Sequence, residues 1–209
     1  MSRSGAGRGP YVKGIARRQE IVDVALELLS TQGMRASTLQ EIATRVGISA
    51  PGVLHHFGSK ENLLIAVLEE RDNRDLEAAA QWAVAHPPSE GGHLNSLEAA
   101  VARTKASPGL ARLYTVLAAE ATDPDHPAHE WFRLRYQRMR ERTLSEMERA
   151  IAGGLLDPAI DTEAVSQLLP GILDGLQLQW LLDPELDVSA ALRLSVTALV
   201  DSAASPTEQ

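Results

Sequence analysis

The sequence of 209 residues contains no cysteine, which excludes disulfide bonds, thiolate chemistry and cysteine-ligated zinc sites. No apolar run reaches the roughly 18 residues that a membrane span requires, and the basic N-terminus lacks the apolar segment of a secretory signal. The glycine-rich phosphate loop and the G-x-S-x-G and H-E-x-x-H motifs are also absent from the sequence. We therefore expect a cytoplasmic protein that is not an enzyme.

Basic residues are scarce overall but are concentrated at one end of the chain. The formal net charge is −8, yet residues 1–60 hold eight Lys/Arg and only four Asp/Glu, which gives +4 and leaves −12 for the remainder. A basic segment joined to an acidic body is typical of a module that binds a polyanion.

The apolar pattern of the first 50 residues is helical. A stripe with three- and four-residue spacing predicts a first helix that ends at Gly33. The stripe consists of Ile15, Val22, Ala25, Leu26 and Leu29. Thr38 and Glu41 have the spacing of a capping box, which predicts the start of a short second helix that stops at Gly47.

A third short helix is predicted directly after this glycine. Ser49 is suited to cap its N-terminus, and Pro51 falls in the first turn, where its missing amide hydrogen costs little. Gly52 leaves the first turn without bulk, so the backbone can approach a large partner. Val53 and Phe57 are predicted to face the core, and Ser59 is predicted to cap a fourth helix.

Two short helices joined through a glycine and braced by a longer one are typical of a helix-turn-helix unit. The segment STLQEIATRVGISAPGVLHHFGSKENLL, residues 37–64, closely resembles the DNA-binding segment of the tetracycline-repressor (TetR) family. The matching positions are Thr38, Ile42, Ala43, Gly47, Ser49, His56, Phe57, Ser59, Lys60, Glu61 and Leu64. Leu54 departs from the pattern, because the family commonly has a phosphate-binding tyrosine there. His55 is the nearest candidate to replace that contact.

The resemblance and the charge pattern together predict which residues contact DNA. The predicted set is Arg17, Thr38, Ser49, Ala50, Pro51, Gly52, His55, His56 and Lys60. We expect Ser49 and His55 to read base edges, and Lys60, Thr38 and Arg17 to contact phosphates. His56 either packs in the head or contacts DNA. Arg3, Arg8 and Lys13 lie on an arm that either binds phosphates or enters a minor groove.

The remaining chain is predicted to add five helices, separated by proline- and glycine-rich loops. The sequence therefore predicts an all-α fold of about nine helices, which is the number that the resemblance implies. We divide the chain into a basic flexible arm (1–13), a helix-turn-helix domain (14–60), a ligand-sensing and dimerisation domain (61–202) and a tail (203–209).

Aromatic residues are few, and six of the eight lie beyond residue 80. A cavity between helices needs apolar walls with a few polar groups, although a stripe of this kind is equally consistent with plain core packing. The predicted pocket residues are Trp82, Tyr114, Trp131, Tyr136, Met139, Gln177 and Trp180.

The helix around Leu168 to Leu182 is apolar on more than one face, so we expect it to be buried on most sides. Two glycines one turn apart would allow a neighbouring backbone to approach closely. The resemblance implies a homodimer held by an intersubunit four-helix bundle. The predicted interface residues are Gly171, Gly175, Leu178, Leu192 and Leu199.

These observations predict a homodimeric DNA-binding transcriptional regulator that senses a small molecule, needs no cofactor or metal and is not membrane-bound. By resemblance it is a repressor released from a palindromic operator. Two alternatives stay open. In the first, a DNA-binding regulator of the same fold is controlled by a protein partner or has no effector. In the second, the protein is a helical metalloprotein that uses the segment 123–130, with Asp123, His126 and His129.

Overall fold

The structure, a computed structural model, describes residues 10–33, 39–86 and 92–203. Within these ranges the chain forms nine α-helices and no β-strand, which confirms the predicted all-α fold. The helices are α1 (Pro10–Gln32), α2 (Leu39–Val46), α3 (Ala50–Phe57), α4 (Lys60–Ala85), α5 (Gly92–Lys105), α6 (Pro108–Glu120), α7 (His129–Ala152), α8 (Thr162–Leu182) and α9 (Val188–Ala203).

The first three helices and the start of α4 form a head around a small apolar core. Ile42, Ala43 and Val46 of α2 and Val53 and Phe57 of α3 are buried, as their spacing predicts. They pack against α1 and the first turns of α4. The core holds the two short helices in a fixed relation to each other.

The first helix differs from the sequence prediction at its N-terminal end. It begins at Pro10, so Lys13 belongs to a helix and not to a flexible arm. Ile15 is wrong as a member of the buried stripe, since 54% of the residue is exposed. The reason is that the head core ends where Arg18 lies over the ring of Phe57, and Ile15 is almost one turn beyond that contact.

Head and body share one continuous core. The largest cluster of buried side chains runs from α1 to α4 and continues into α6 and α7 through Leu110, Leu113, Leu117 and Phe132. A rigid link between the two parts follows, because close-packed interiors transmit displacement.

The first turn of α6 lies unusually close to the end of α1. A Cβ added to Gly109 would overlap the carbonyl oxygen of Leu29 and lie 2.9 Å from the Cα of Gly33. Only glycine allows this approach. The contact joins the head helix α1 to the body helix α6.

Two smaller apolar clusters complete the body. One is centred on Trp180 and Leu192 and involves α5, α6, α8 and α9. The other contains Met147, Ile160 and Val165. Helix α8 runs through both clusters and carries Pro170 in its interior, which removes one backbone hydrogen bond between them.

Candidate functional site

The turn between α2 and α3 has the geometry that its sequence predicts. Gly47 adopts φ = 76°, a conformation that glycine adopts without strain. Ser49 caps α3, and its Oγ accepts a hydrogen bond from the Gly52 amide at 3.2 Å. Pro51 lies in the first turn. The N-terminus of α3 is therefore fixed by local contacts, with its first turn at the surface of the head.

The outer face of α3 carries most of the residues predicted to bind DNA. Ser49, Pro51 and His55 are exposed, whereas Ala50, Gly52 and His56 are half-buried. The rings of the two histidines lie 6.0 Å apart. Lys60 is exposed at the first position of α4. These seven residues form a single surface, which we call the α3 face.

The predicted set also contains Thr38 and Arg17. Thr38 lies outside the residues that the structure describes, as do Arg3 and Arg8. The Nη1 of Arg17 donates to the backbone carbonyl of Val46 at 3.2 Å and to Glu20 at 2.9 Å. Arg17 thus ties α1 to the end of α2, a bracing contact that the sequence pattern did not predict.

The residues predicted to line a ligand pocket do not meet at one point. Trp82 stacks on His86 near the end of α4. Trp180 belongs to the second apolar cluster, and Trp131 packs against the largest cluster. Gln177 donates to the hydroxyl of Thr115 at 3.0 Å. A cavity of about 280 Å³ lies between α1, α4 and the α5–α6 junction, and none of the seven predicted residues lines it.

Tyr114 and Tyr136 meet instead in a buried polar cluster that joins four helices. Arg135 of α7 donates from Nε to Asp72 of α4 at 2.7 Å and from Nη1 to the Tyr114 hydroxyl at 3.0 Å. The Tyr114 hydroxyl lies 3.1 Å from that of Tyr136 and 3.2 Å from Oδ2 of Asp174 in α8. The Tyr136 hydroxyl also donates to Asp174. We call these five residues the polar cluster.

Met139 lies at the edge of the polar cluster, where its Sδ is 3.0 Å from Nη1 of Arg135. The guanidinium of Arg135 also lies over the ring of Tyr114, at 4.7 Å from its centroid. A cation of the chain itself therefore occupies the aromatic surface that the sequence suggested for a ligand.

Burial dominates the electrostatics of the polar cluster. It raises the pKa of the Asp174 carboxyl, although hydrogen bonds from Tyr136 and Tyr114 oppose the shift. Burial likewise raises the pKa of the Tyr114 hydroxyl. Burial alone would lower the pKa of Arg135, but Tyr114 and Asp72 together raise it above its ordinary value. Arg135 therefore stays charged.

The sequence analysis missed Arg135, Asp72 and Asp174. A signal for Asp174 was available, since it is the one charged residue of α8 beyond Glu163, and a carboxylate in an apolar helix needs a buried partner. Asp72 and Arg135 gave no such signal, because α4 and α7 are rich in charged residues. Their pairing depends on the packing of α4 against α7.

The raised pKa of Asp174 predicts a dependence of stability on pH. The unfolded carboxyl ionises near pH 4, whereas the folded one ionises at a higher pH. The wild-type protein should therefore lose stability relative to Asp174→Asn as the pH rises from about 4 through the folded pKa. Thermal melts of both proteins across this range measure the difference.

Asp125→Asn, at an exposed position, is the control for this measurement and should melt like wild type at every pH. A constant difference between wild type and Asp174→Asn from pH 4 to pH 8 would contradict the assignment of a raised pKa.

The surface of α8 carries an apolar stripe whose leucines are exposed in the part of the chain that the structure describes. Its spacing of three and four residues places the members on one face of the helix, and they are Leu168, Gly171, Gly175, Leu178 and Leu182. Leu168 is 52% exposed, Leu178 46% and Leu182 79%. A Cβ added to either glycine would meet nothing within 4 Å. We call this set the α8 stripe.

Leu192 is wrong as a predicted interface residue. It is fully buried in the cluster around Trp180, and a side chain inside the protomer core cannot reach a partner. Leu199 is half-buried against the third cluster. The exposed leucine of α9 is Leu194.

The histidines of segment 123–130 contact backbone groups of the segment itself and of the end of α6. The Nδ1 of His126 accepts from the Ala128 amide at 3.1 Å, and the Nδ1 of His129 lies 2.9 Å from the Ala121 carbonyl oxygen. In the parts of the chain that the structure describes, no three His, Asp or Glu side chains are arranged to hold a metal ion.

Over the same described ranges, no helix combines the length and apolar character needed to cross a membrane.

The head defines a class of protein. Its second short helix is capped and exposed, and a turn through a glycine connects it to the first. This is the helix-turn-helix arrangement, in which the second helix enters a DNA groove. Comparison with known proteins identifies the family. Residues 21–67 match the family model of the bacterial regulatory proteins of the tetR family, and residues 94–204 match that of the BetI-type transcriptional repressor, C-terminal. The chain belongs to the TetR family of transcriptional regulators, with a DNA-binding head and a BetI-type C-terminal half.

Individual relatives agree with this assignment. The chain is similar to the HTH-type transcriptional regulator BetI of Burkholderia mallei, with 30% identity over 197 residues that cover 86% of this chain and 89% of the relative. It is also similar to BetI of Rhizobium meliloti, with 44% identity over 73 residues, 34% of this chain and 36% of that protein. The second match thus spans only about a third of the relative's length.

A solved structure has the same fold. The crystal structure of a TetR transcription regulator from Haloarcula marismortui superposes with a TM-score of 0.71 at 20% identity, over 90% of this chain and 98% of that one. These comparisons confirm the resemblance on which the sequence analysis depended.

Proposed function

We propose that the protein is a homodimeric repressor that binds a palindromic operator and leaves it when a small molecule binds to the body. The observation that carries the proposal is the α3 face, where Ser49 and His55 are exposed on a helix with a small-residue tip and Lys60 is exposed at the start of the next helix. Such a protein acts by binding alone, without an enzymatic step, and acts on DNA in the cytoplasm.

The α8 stripe supports the dimer. Its exposed leucines flank two glycines, so a helix of a second copy could approach the backbone closely and cover apolar surface that is costly to leave in water. Leu194 of α9 is a further exposed leucine. A two-fold dimer places two heads side by side, as recognition of a palindrome requires.

The polar cluster supports sensing by the body. The polar cluster connects α4, whose first turns belong to the head, with α6, α7 and α8. A polar ligand would form hydrogen bonds with these side chains in place of the bonds that they make with one another. A ligand that binds one arrangement of these helices more tightly than another would shift the spacing of the two heads.

Selection of bound sequences from random DNA duplexes tests the proposal. A dimeric repressor should return a palindrome with half-sites about one helical turn, or a multiple of it, apart. Recovery of an asymmetric site, or of no preferred sequence, would contradict it. A second selection, in the presence of compounds that stabilise the protein against heat, shows whether a ligand releases the DNA.

His55 and Lys60 should have separable roles on the α3 face. We expect His55→Ala to change the preference at one base pair of each half-site by about 1–3 kcal/mol, since a base-edge contact is lost. Lys60→Ala should weaken binding to all sequences alike and reduce the salt dependence by about one ion per subunit. Fluorescence anisotropy with the selected operator and its single-base variants measures both effects.

Arg133→Ala, which removes an exposed arginine of the body helix α7, is the control for both variants and should bind the operator as wild type does. An unaltered consensus for His55→Ala would assign this histidine to packing or to a phosphate contact. If the Lys60→Ala protein had the wild-type salt dependence, this result would contradict the assignment of a phosphate contact to Lys60.

The α8 stripe should lose its capacity for association when a large charged residue is placed at its centre. We expect Gly175→Arg to give monomers and to abolish tight operator binding, because one head alone makes too few contacts. Sedimentation velocity and anisotropy measure the two effects. Gln137→Arg, which adds the same side chain to an exposed position of α7, should remain dimeric. If the Gly175→Arg protein remained a dimer, this result would contradict the placement of α8 in the interface.

A further inference from the structure

The cavity of about 280 Å³ lies at the joint between head and body. One wall is the C-terminal part of α1, a second is the middle of α4, and the third is the junction of α5 and α6. Arg71, Arg74 and Arg103 lie on these walls, together with a single carboxylate, Asp75. Three guanidinium groups around one cavity are an unusual concentration in a body of net negative charge.

The internal ion pairs are distributed unevenly over the three arginines. Arg74 is paired with Glu70 and Asp23, neither of which lines the cavity. Asp75 is shared by the other two arginines, because it accepts from Arg103 Nε at 2.9 Å and lies 3.7 Å from Arg71 Nε. One carboxylate therefore serves two guanidinium groups.

Hydrogen-bond donors remain available on the same two side chains. Arg71 donates from Nη2 to the Thr104 hydroxyl at 3.2 Å. Within the described residues, no hydrogen-bond acceptor pairs with Arg71 Nη1 or with either terminal nitrogen of Arg103. Burial lowers the pKa of the Arg71 guanidinium, and the nearby Asp75 and Asp72 offset this only in part. A guanidinium removed from water in this way attracts an anion more strongly than an exposed one.

The start of α6 adds donors of a different kind. Ser107 is the N-cap residue of α6, but its side chain makes no capping hydrogen bond, so its hydroxyl is available to a ligand. It lies on the cavity wall, at the positive end of the helix dipole. The apolar part of the wall is formed by Leu26, Ala106 and Leu110.

The geometry points to a binding site for the phosphate group of a small molecule that also carries an apolar substituent. Arg71 and Arg103 together carry one positive charge more than Asp75 neutralises, and the oxygens of a phosphate can accept from both guanidinium groups and from Ser107. The apolar substituent would cover Leu26 and Leu110. Because the walls belong to both head and body, occupancy of this site changes the affinity for DNA; that second part depends on the proposed function, whereas binding itself does not.

Phenyl phosphate is the probe, because it joins a phosphate to a small apolar ring. Isothermal titration calorimetry of the full chain at constant ionic strength should show one site per protomer. Phenol, which lacks the phosphate, should give no such signal, and inorganic phosphate should bind more weakly than phenyl phosphate. Equal binding of phenol, or no heat from phenyl phosphate, would overturn the proposal.

Arg103→Gln should weaken the binding of phenyl phosphate at least about tenfold, since it removes a charge-assisted contact. Arg103→Lys should lie between this variant and wild type. The matched control is Arg112→Gln, which removes an exposed arginine of α6 that does not line the cavity, and it should bind as wild type does. Equal affinities for Arg103→Gln and Arg112→Gln would show non-specific attraction and overturn the site.

Ser107→Ala keeps the test decisive if Arg103→Gln does not fold. Its hydroxyl makes no capping bond, so the variant should melt like wild type and bind phenyl phosphate severalfold more weakly; wild-type affinity would count against the site. Operator anisotropy with and without phenyl phosphate then tests the link to DNA. Operator binding without any heat from phenyl phosphate would overturn this inference alone, whereas heat from phenyl phosphate without operator binding would overturn the proposed function alone.

Discussion

Replacement of Arg135 by methionine is expected to lower the free energy of unfolding by about 1–3 kcal/mol, because it removes a charged hydrogen-bond donor from a half-buried ion pair. Asp72 loses two hydrogen bonds from the guanidinium, and the Tyr114 hydroxyl loses its donor. Methionine fills a similar length but supplies no charge. Urea unfolding at equal protein concentration measures the loss, since the stability of the proposed dimer would depend on concentration.

Arg133→Met, two residues away on the same helix, is the matched control. Arg133 pairs only with Glu130 at the surface, where such pairs contribute little, so the variant should unfold almost as wild type does. Adding Asp72→Asn to Arg135→Met should recover part of the lost stability, because the carboxylate left without its partner is neutralised. Equal losses for Arg133→Met and Arg135→Met would show that the polar cluster contributes nothing specific.

Gly109→Ala is expected to destabilise the protein by roughly 1–3 kcal/mol and to weaken DNA binding in the molecules that remain folded. The new methyl group would overlap the backbone of α1 at Leu29, and backbone cannot move aside as a side chain can. Helix α6 must therefore shift away from α1, which alters the position of the head. Urea unfolding and operator anisotropy on the same preparation measure the two effects.

The comparison for this variant is Gly14→Ala, the same substitution in α1 at a site where the new Cβ meets nothing within 4 Å. It should leave the protein as stable as wild type or more stable by about 0.5–1 kcal/mol, because alanine favours the helix. If Gly109→Ala behaves in the same way, the close approach of α6 to α1 does not limit the fold.

The head could be predicted almost completely because its signals are local. Ser49 and Ser59 cap the helices that follow them, and each cap involves residues no more than three positions apart. Ile15 was mispredicted because helical spacing shows which face is apolar but does not show where the packing partner ends.

The body could not be predicted at the same level. Asp72, Tyr114, Arg135 and Asp174 come from four helices, and only tertiary packing brings them together. Leu192 illustrates the same limit, since an apolar residue on a terminal helix is equally consistent with the core of one protomer and with an interface between two. The cavity at the joint gave no sequence signal either, because its arginines are spread over α4 and α5.

Helix α4 belongs to both parts of the molecule, since it begins at Lys60 on the α3 face and carries Asp72 of the polar cluster. These two residues are about 18 Å apart along the axis at 1.5 Å per residue. A small tilt of the helix about one of these residues therefore displaces the other by a distance that grows with their separation. A tilt of about 5° at Asp72 displaces Lys60 by about 1.6 Å over that length. Leu63, Leu64 and Leu68 of this segment are buried in the core that they share with the head helices, so the head moves with the tilt. Because a hydrogen bond tolerates only a few tenths of an ångström, such a tilt is sufficient to break the contact that we propose between Lys60 and a phosphate.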